Sequence, residues 1–195
     1  MIKAVIFDMD GTITKPYFDF NLIRREIGLD ENSEPLLEAM EKMSPPDRAK
    51  AEEILHLYEQ KAIEASELND TAAETLSTLR SKGIPVGILT RNTKSNAYAV
   101  LEKHNLQFDA VIGREDGPVK PDPFGVLELC KQFEVEPHET LVVGDYLFDL
   151  LSAIGAGAVS VLLVNHKKYE FEKIAHYRIN NLNQVLDIIK GEFTN

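Results

Sequence analysis

Apolar positions along the chain fall into two alternating kinds of run. Short unbroken runs occupy 3–8, 84–89 (IPVGIL) and 140–144 (TLVVG), with weaker ones at 109–112, 158–163 and 177–179. Longer stretches at 70–82, 94–104, 123–134, 147–155 and 182–190 repeat their apolar residues at helical spacing. The short runs predict strands buried on both faces, and the long ones predict amphipathic helices. Strands alternating with helices point to an α/β fold: a Rossmann-like, mainly parallel sheet flanked by helices. The turn signals agree. Lys82-Gly83 closes one helix before its strand, and Gly155 and Gly157 are expected to do the same later.

Residues 16–69 break the alternation and hold no convincing strand. Phe18, Leu22, Ile23 and Ile27 recur at helical spacing, as do Leu36, Leu37 and Met40. A third helix is expected from Pro46 to Ala65, with Ile54, Leu55, Tyr58 and Ala62 on one face and Ser44 as N-cap. The organisation expected is an α/β core from 1–15 and 70–195, carrying a small all-helical insertion at 16–69 that covers and selects at the site. The plainer alternative is a helical appendage that only adds core.

Composition narrows the setting. A chain of 195 residues suffices for one domain with a modest insertion and a real core. One cysteine, Cys130, excludes an internal disulfide and fits a reducing compartment; its apolar neighbours suggest a buried thiol. No basic region followed by a long apolar stretch opens the chain, and no run approaches a membrane span, so a cytoplasmic protein with no membrane partner is expected. The formal charge of −11 argues against nucleic acid as a partner. It does not exclude a small phosphorylated ligand, because a divalent cation and a few local basic groups can make one site attractive to anions. His56, His104, His138, His166 and His176 show no metal-ligand spacing, and Arg24 and Arg25 on the first insertion helix can face either an anion or solvent.

Ligands of open parallel sheets gather beyond the carboxyl ends of the strands. Polar residues sit at several such ends. Asp8 and Asp10 follow the first strand, Thr90 follows 84–89, and Asp145 follows 140–144; Lys120 lies in the loop after 109–112. Aspartates offer hard oxygen ligands for Mg²⁺, and an ionised Asp can attack phosphorus. A hydroxyl and an ammonium can hold phosphoryl oxygens. Singly these residues have plainer readings: Asp8, Thr90 and Asp145 as helix caps, Lys120 as an exposed loop lysine. Their coincidence at successive strand ends favours a site.

Four segments carry a resemblance. Asp8-Met9-Asp10-Gly11-Thr12-Ile13, Leu89-Thr90-Arg91-Asn92, Lys120-Pro121-Asp122-Pro123 and Val143-Gly144-Asp145-Tyr146-Leu147-Phe148-Asp149 occur in that order. With them, nearly the whole chain resembles the haloacid dehalogenase superfamily, especially its small phosphatases of the phosphoglycolate phosphatase and β-phosphoglucomutase kind. The resemblance implies that Asp8 is a nucleophile and Asp10 a general acid and base. It implies Mg²⁺ on Asp8, the Asp10 backbone carbonyl and Asp145, with Asp149 in an outer position orienting metal-bound water or Lys120. Thr90 would bind the phosphoryl group and Lys120 would offset negative charge. Gly11 and Thr12 would shape the loop after the nucleophile and offer N–H groups to phosphate. Arg91 follows the hydroxyl where Asn is frequent, and Asn92 comes one place later; either would reach phosphate or substrate. Tyr146 stands where a small hydroxyl residue is usual. An acid at Asp10 argues against carbon–halogen cleavage.

The expected activity is hydrolysis of a small phosphomonoester through an aspartyl-phosphate. The alternatives are a phosphosugar mutase and a non-catalytic protein that binds phosphorylated metabolites. Either a monomer or a homodimer is compatible with the sequence.

Overall fold

The computed structural model describes residues 1–30, 34–164 and 169–193, so His166 lies outside the described residues. Six strands form one sheet: β1 (Ala4–Phe7), β2 (Val86–Leu89), β3 (Ala110–Ile112), β4 (Thr140–Gly144), β5 (Val159–Leu163) and β6 (Tyr177–Ile179). Their spatial order is β3-β2-β1-β4-β5-β6, and every pairing is parallel. The chain builds outward from β1 on one side and then on the other. That reversal puts the topological switch point between β1 and β4, where a crevice opens beyond the strand ends. Phe7 pairs with Ile88 on β2 and with Val143 on β4, so the three central strands end nearly level.

The unbroken apolar runs have the expected cause: β1, β2 and β4 are buried along their whole length. Helices α6 (Phe124–Gln132) and α7 (Leu147–Ala156) pack on one face. There Val126, Leu129, Cys130 and Ala153 meet Ile6, Leu89, Ile112 and Val142. Cys130 is a buried thiol, and burial pushes its pKa up. Helix α4 (Ala72–Ser81) packs on β2, α5 (Lys94–Lys103) on β3, and α8 (Gln184–Lys190) on α4. Gly157 ends α7 in the left-handed region at φ 77°, as anticipated, whereas Gly155 lies inside the helix and terminates nothing.

Tertiary contacts divide the chain into two compact units, one of Met1–Pro16 with Glu67–Asn195, the other of Tyr17–Ser66. The second unit holds α1 (Phe20–Ile27), α2 (Leu36–Glu41) and α3 (Pro45–Ala65) around Ile23, Leu36, Met40, Ala51 and Leu55. Asp19 caps α1 by accepting from the Asn21 and Leu22 amides. Ser44 stands at the N-cap of α3, but its hydroxyl donates to Asp47 at 2.6 Å rather than capping the backbone. Arg24 is buried and donates to the Glu34 carbonyl at 2.7 Å, so it serves this unit's own structure; Arg25 is exposed. No described helix is long and apolar enough to cross a membrane.

Candidate active site

Asp8 is the first residue beyond β1, and its amide donates to the Val143 carbonyl of β4 at 2.8 Å. That bond fixes the Asp8 backbone at the switch point. β4 ends at Gly144, and Asp145 follows. Two glycines make the crowding there possible. A Cβ at Gly144 would overlap the Asp149 side chain, and one at Gly11, already at φ 95°, would overlap the Asp145 carboxylate. Lys120 reaches this spot from its loop with only 3% of its side chain exposed. Its Nζ donates to Asp8 Oδ1 at 2.5 Å and to Asp149 Oδ1 at 2.6 Å. The second Asp149 oxygen accepts from the Tyr146 amide at 3.1 Å. Asp149 therefore holds Lys120 and the start of α7 together.

Ligand-capable oxygens of Asp8, Asp145 and Asp149 lie within 4.8 Å of one another. Burial raises the Asp8 carboxyl well above its usual range; Lys120 opposes the rise, and Asp149 and Asp145 add to it. Burial works against the Lys120 ammonium as well, yet Asp149 and Asp8 hold it above its ordinary value. Three carboxylates thus face one ammonium. Hard oxygens with a surplus of negative charge suit a divalent cation such as Mg²⁺. Asp8 and Asp145 fit the direct-ligand role best, because both Asp149 oxygens are already engaged.

Beyond β2, the Thr90 amide donates to Ile112 at 3.0 Å, and the buried Thr90 hydroxyl accepts from the Asn92 amide at 3.0 Å. Thr93, not Thr90, caps α5. Tyr146, not Asp145, occupies the N-cap position of α7. Capping therefore explains neither Thr90 nor Asp145, and Lys120 is no exposed loop lysine. Asn92 is buried. Its side-chain oxygen accepts from the Thr93 amide and from Asn96 Nδ2, both at 2.8 Å, which turns its own NH₂ toward Asp10 Oδ2 at 3.4 Å.

The model of the haloacid dehalogenase-like hydrolases matches residues 2–157. The chain belongs to that family. A haloacid dehalogenase-like hydrolase domain-containing protein of Arabidopsis thaliana is 29% identical over 98% of this chain and 85% of that protein. A phosphoglycolate phosphatase of Nitrosospira multiformis is 30% identical over 80% and 81%. A putative pyrophosphatase of Caldanaerobacter subterraneus is 30% identical over 97% and 96%. The crystal structure of a hydrolase from Pseudomonas syringae shares the fold with a TM-score of 0.80 at 20% identity, covering 98% of this chain and 99% of that one.

In this haloacid dehalogenase-like hydrolase, Arg91, Asn92 and the loop after Asp8 also bond within the protein itself. Arg91 donates to the Lys120 carbonyl and lies over the Phe148 ring, 4.9 Å from its centroid. It braces the Lys120 loop against α7. The Asn92 side-chain NH₂ donates to Asp10. The Gly11 amide donates to Thr14 at 2.9 Å and the Thr12 amide to Met9 at 3.2 Å, so the turn itself uses the N–H groups expected to meet phosphate. Tyr146 packs edge-to-face with Phe148 and Phe171, ring centroids 5.1 and 5.6 Å apart, and keeps nearly half its surface exposed. Periodicity gave no hint of Asn69 or Asn96. Asn69 sits in an Asn-Asp pair that reads only as a turn, and Asn96 reads only as a polar helix position.

Proposed function

We propose that this hydrolase is a Mg²⁺-dependent phosphatase acting on a small phosphomonoester through an aspartyl-phosphate. The observation that carries the reading is Lys120 Nζ, buried and shared between Asp8 and Asp149, beside Asp145 at the switch point. A structural ion pair needs one carboxylate; a third one nearby only costs energy unless a cation and an anionic ligand share the space.

Asp8 attacks phosphorus in line, forming an O–P bond as the bond to the leaving oxygen breaks. Asp10 gives its proton to that oxygen. Asp10 then takes a proton from water as the water oxygen attacks phosphorus, and the Asp8 carboxylate departs with the electron pair of its O–P bond. Asn92 keeps the Asp10 side chain directed during both transfers. Thr90 donates its hydroxyl proton to a phosphoryl oxygen while its oxygen accepts from the Asn92 amide. Lys120 favours the ionised, attacking form of Asp8, against the burial that disfavours it. Asp8, Asp145 and the Asp10 carbonyl would hold Mg²⁺, which supplies neutralisation of the carboxylates and of the phosphoryl oxygens.

Phosphoglycolate leads the substrate panel because a relative of matching length bears that name; pyrophosphate joins it for the same reason. Purified protein is expected to release phosphate from a subset of the panel with Mg²⁺, and to lose that release in EDTA and in Asp8→Asn. Near-normal turnover by a pure Asp8→Asn sample would refute the covalent route. Isomerisation of a sugar phosphate without phosphate release would redirect the reading to a mutase.

A further inference from the structure

We propose that Asn69 is a positioning residue for the phosphoryl-transfer loop, a role that rests on the phosphatase reading above. The loop after the nucleophile turns back on itself. The amides of Thr12, Ile13 and Thr14 all donate to the Met9 carbonyl, at 3.2, 3.0 and 3.0 Å, and the Gly11 amide donates to Thr14 at 2.9 Å. A loop that spends its donors on the Met9 and Thr14 carbonyls leaves those of Gly11, Thr12 and Ile13 in need of partners. Asn69 supplies them. Its Nδ2 lies 3.0 Å from the Gly11 carbonyl oxygen, 2.7 Å from that of Thr12 and 3.2 Å from that of Thr14. Its backbone amide donates to Ile13 at 2.9 Å. Its backbone amide thus serves Ile13, and the two N–H groups of its side chain are shared among Gly11, Thr12 and Thr14, the last of which also accepts from the Gly11 amide. Only the NH₂ end of the amide can face that cluster; an oxygen there would meet carbonyl oxygens alone.

The loop cannot shift without moving the chemistry. Asp10 stands immediately before Gly11 and is bridged to Thr14. Gly11 lies so close to Asp145 that even a methyl would collide with its carboxylate. Movement of the four carbonyls is thus transmitted to the Asp10 carbonyl, to the Asp10 carboxyl and to Asp145. Asn69 touches none of the reacting atoms and acts through Asp10 and Gly11. The return segment is anchored beside it by a Thr14–Leu68 bridge and by the Lys15 amide donating to Glu67 at 2.9 Å. These contacts hold the backbone in place when the side chain alone is changed.

The test compares wild type, Asn69→Asp and Asn69→Ala. Asp matches Asn in size and directs oxygen at the carbonyls, whereas Ala removes the side chain without repulsion. Misplacement of reacting groups by about 1 Å costs about 10²-fold. Both variants are expected to lose kcat on the order of 10- to 100-fold with KM changed less than about threefold, Asp more than Ala. Amide hydrogen exchange of residues 10–14 should accelerate in both, while the β1 amides stay protected. Exchange is measured without substrate, so this arm stands even if the phosphatase reading fails, which wild type inactive across the panel would show. If Asn69→Asp does not fold, Asn69→Ala decides alone. Folded variants with wild-type kcat and unchanged exchange at 10–14, or kcat restored in full by cooling below the variants' unfolding transition, would overturn the proposal.

Discussion

Replacing Lys120 by Met tests the electrostatics of the site most directly. Met keeps much of the buried stem and removes the ammonium that Asp8 and Asp149 share at 2.5 and 2.6 Å. Two buried carboxylates are then left beside a third, Asp145. Breaking a buried pair from one side costs about 3–5 kcal/mol, because the remaining charge stays desolvated. For a domain of this size about 1 kcal/mol shifts Tm by roughly 2–4 °C, so a fall on the order of 10 °C is expected at neutral pH in chelator. The sign of the pH dependence follows from Asp8. Its folded pKa is raised above the unfolded value, first by burial, with Lys120 the main opposing influence. Between those two pKa values the folded state binds more protons, so stability declines as pH rises through that window. Losing Lys120 raises the folded pKa further. The deficit of Lys120→Met must therefore shrink as pH falls from about 8 to about 5 and grow toward alkaline pH. Lys120 itself, raised by its carboxylate partners, contributes stability that is complete below its unfolded pKa and is lost only as pH rises through its folded one, so it leaves this window flat.

Adding Asp8→Asn to Lys120→Met removes one of the stranded charges. The double variant should be more stable than the sum of the single effects by about 1–3 kcal/mol. Thermal and urea unfolding at several pH values measure both quantities. A deficit independent of pH, together with additivity within about 0.5 kcal/mol, would refute the account of Lys120 as the group that makes an ionised Asp8 tolerable.

Further expectations follow from single contacts. Asp145→Asn should raise the Mg²⁺ concentration for half-maximal phosphate release by about tenfold or more; an unchanged titration would remove Asp145 from the ligand set. Gly144→Ala drives a Cβ into Asp149 and should cost about 1–3 kcal/mol along with most activity, read by unfolding and by turnover. Arg91→Lys loses a planar cation over Phe148 and a donor to the Lys120 carbonyl; a stability loss of about 1–2 kcal/mol is expected, with wild-type Tm as the contrary result. Thr75 is fully buried and its hydroxyl has no partner among the described residues. Thr75→Val should therefore hold or raise Tm, and a drop beyond about 1 kcal/mol would show that the hydroxyl is used.

The fold was legible because central parallel strands leave an unambiguous mark. Residues 4–7, 84–89 and 141–144 are apolar without alternation because β1, β2 and β4 are covered on both faces. The flanking helices stand out because each buries one stripe. Less legible was which helix end a given polar residue serves. Thr90 and Asp145 both precede helices closely enough to be read as caps, but Thr93 and Tyr146 hold the capping positions. Within α3 the apolar stripe of Ile54, Leu55, Tyr58 and Ala62 is only partly the buried one: Ala51 and Glu59 join Leu55 and Ala62 inside. A helical period shows where a stripe runs but not how far neighbours cover its edges.

The site divides along a similar line. Asp8, Lys120, Asp145 and Asp149 converge because each follows or lies near a strand end, and parallel topology sends all strand ends to one edge. That inference needs only the order of elements. What a side chain does once it arrives depends on which backbone groups are already satisfied, and sequence spacing carries no record of that. The amides of Gly11 and Thr12 look available in the motif and are consumed in the turn. Arg91 and Asn92 look like two candidates for one phosphate, and spacing does not tell that one also bonds the Lys120 carbonyl and the other Asp10. Asn69 shows the same limit from the opposite side. It has no motif partner, and it lies 55 to 58 positions away from the carbonyls it serves. Positioning residues of this kind are found by asking where each buried carbonyl of a reacting loop obtains its hydrogen bond, and they stay invisible as long as only the reacting groups are sought.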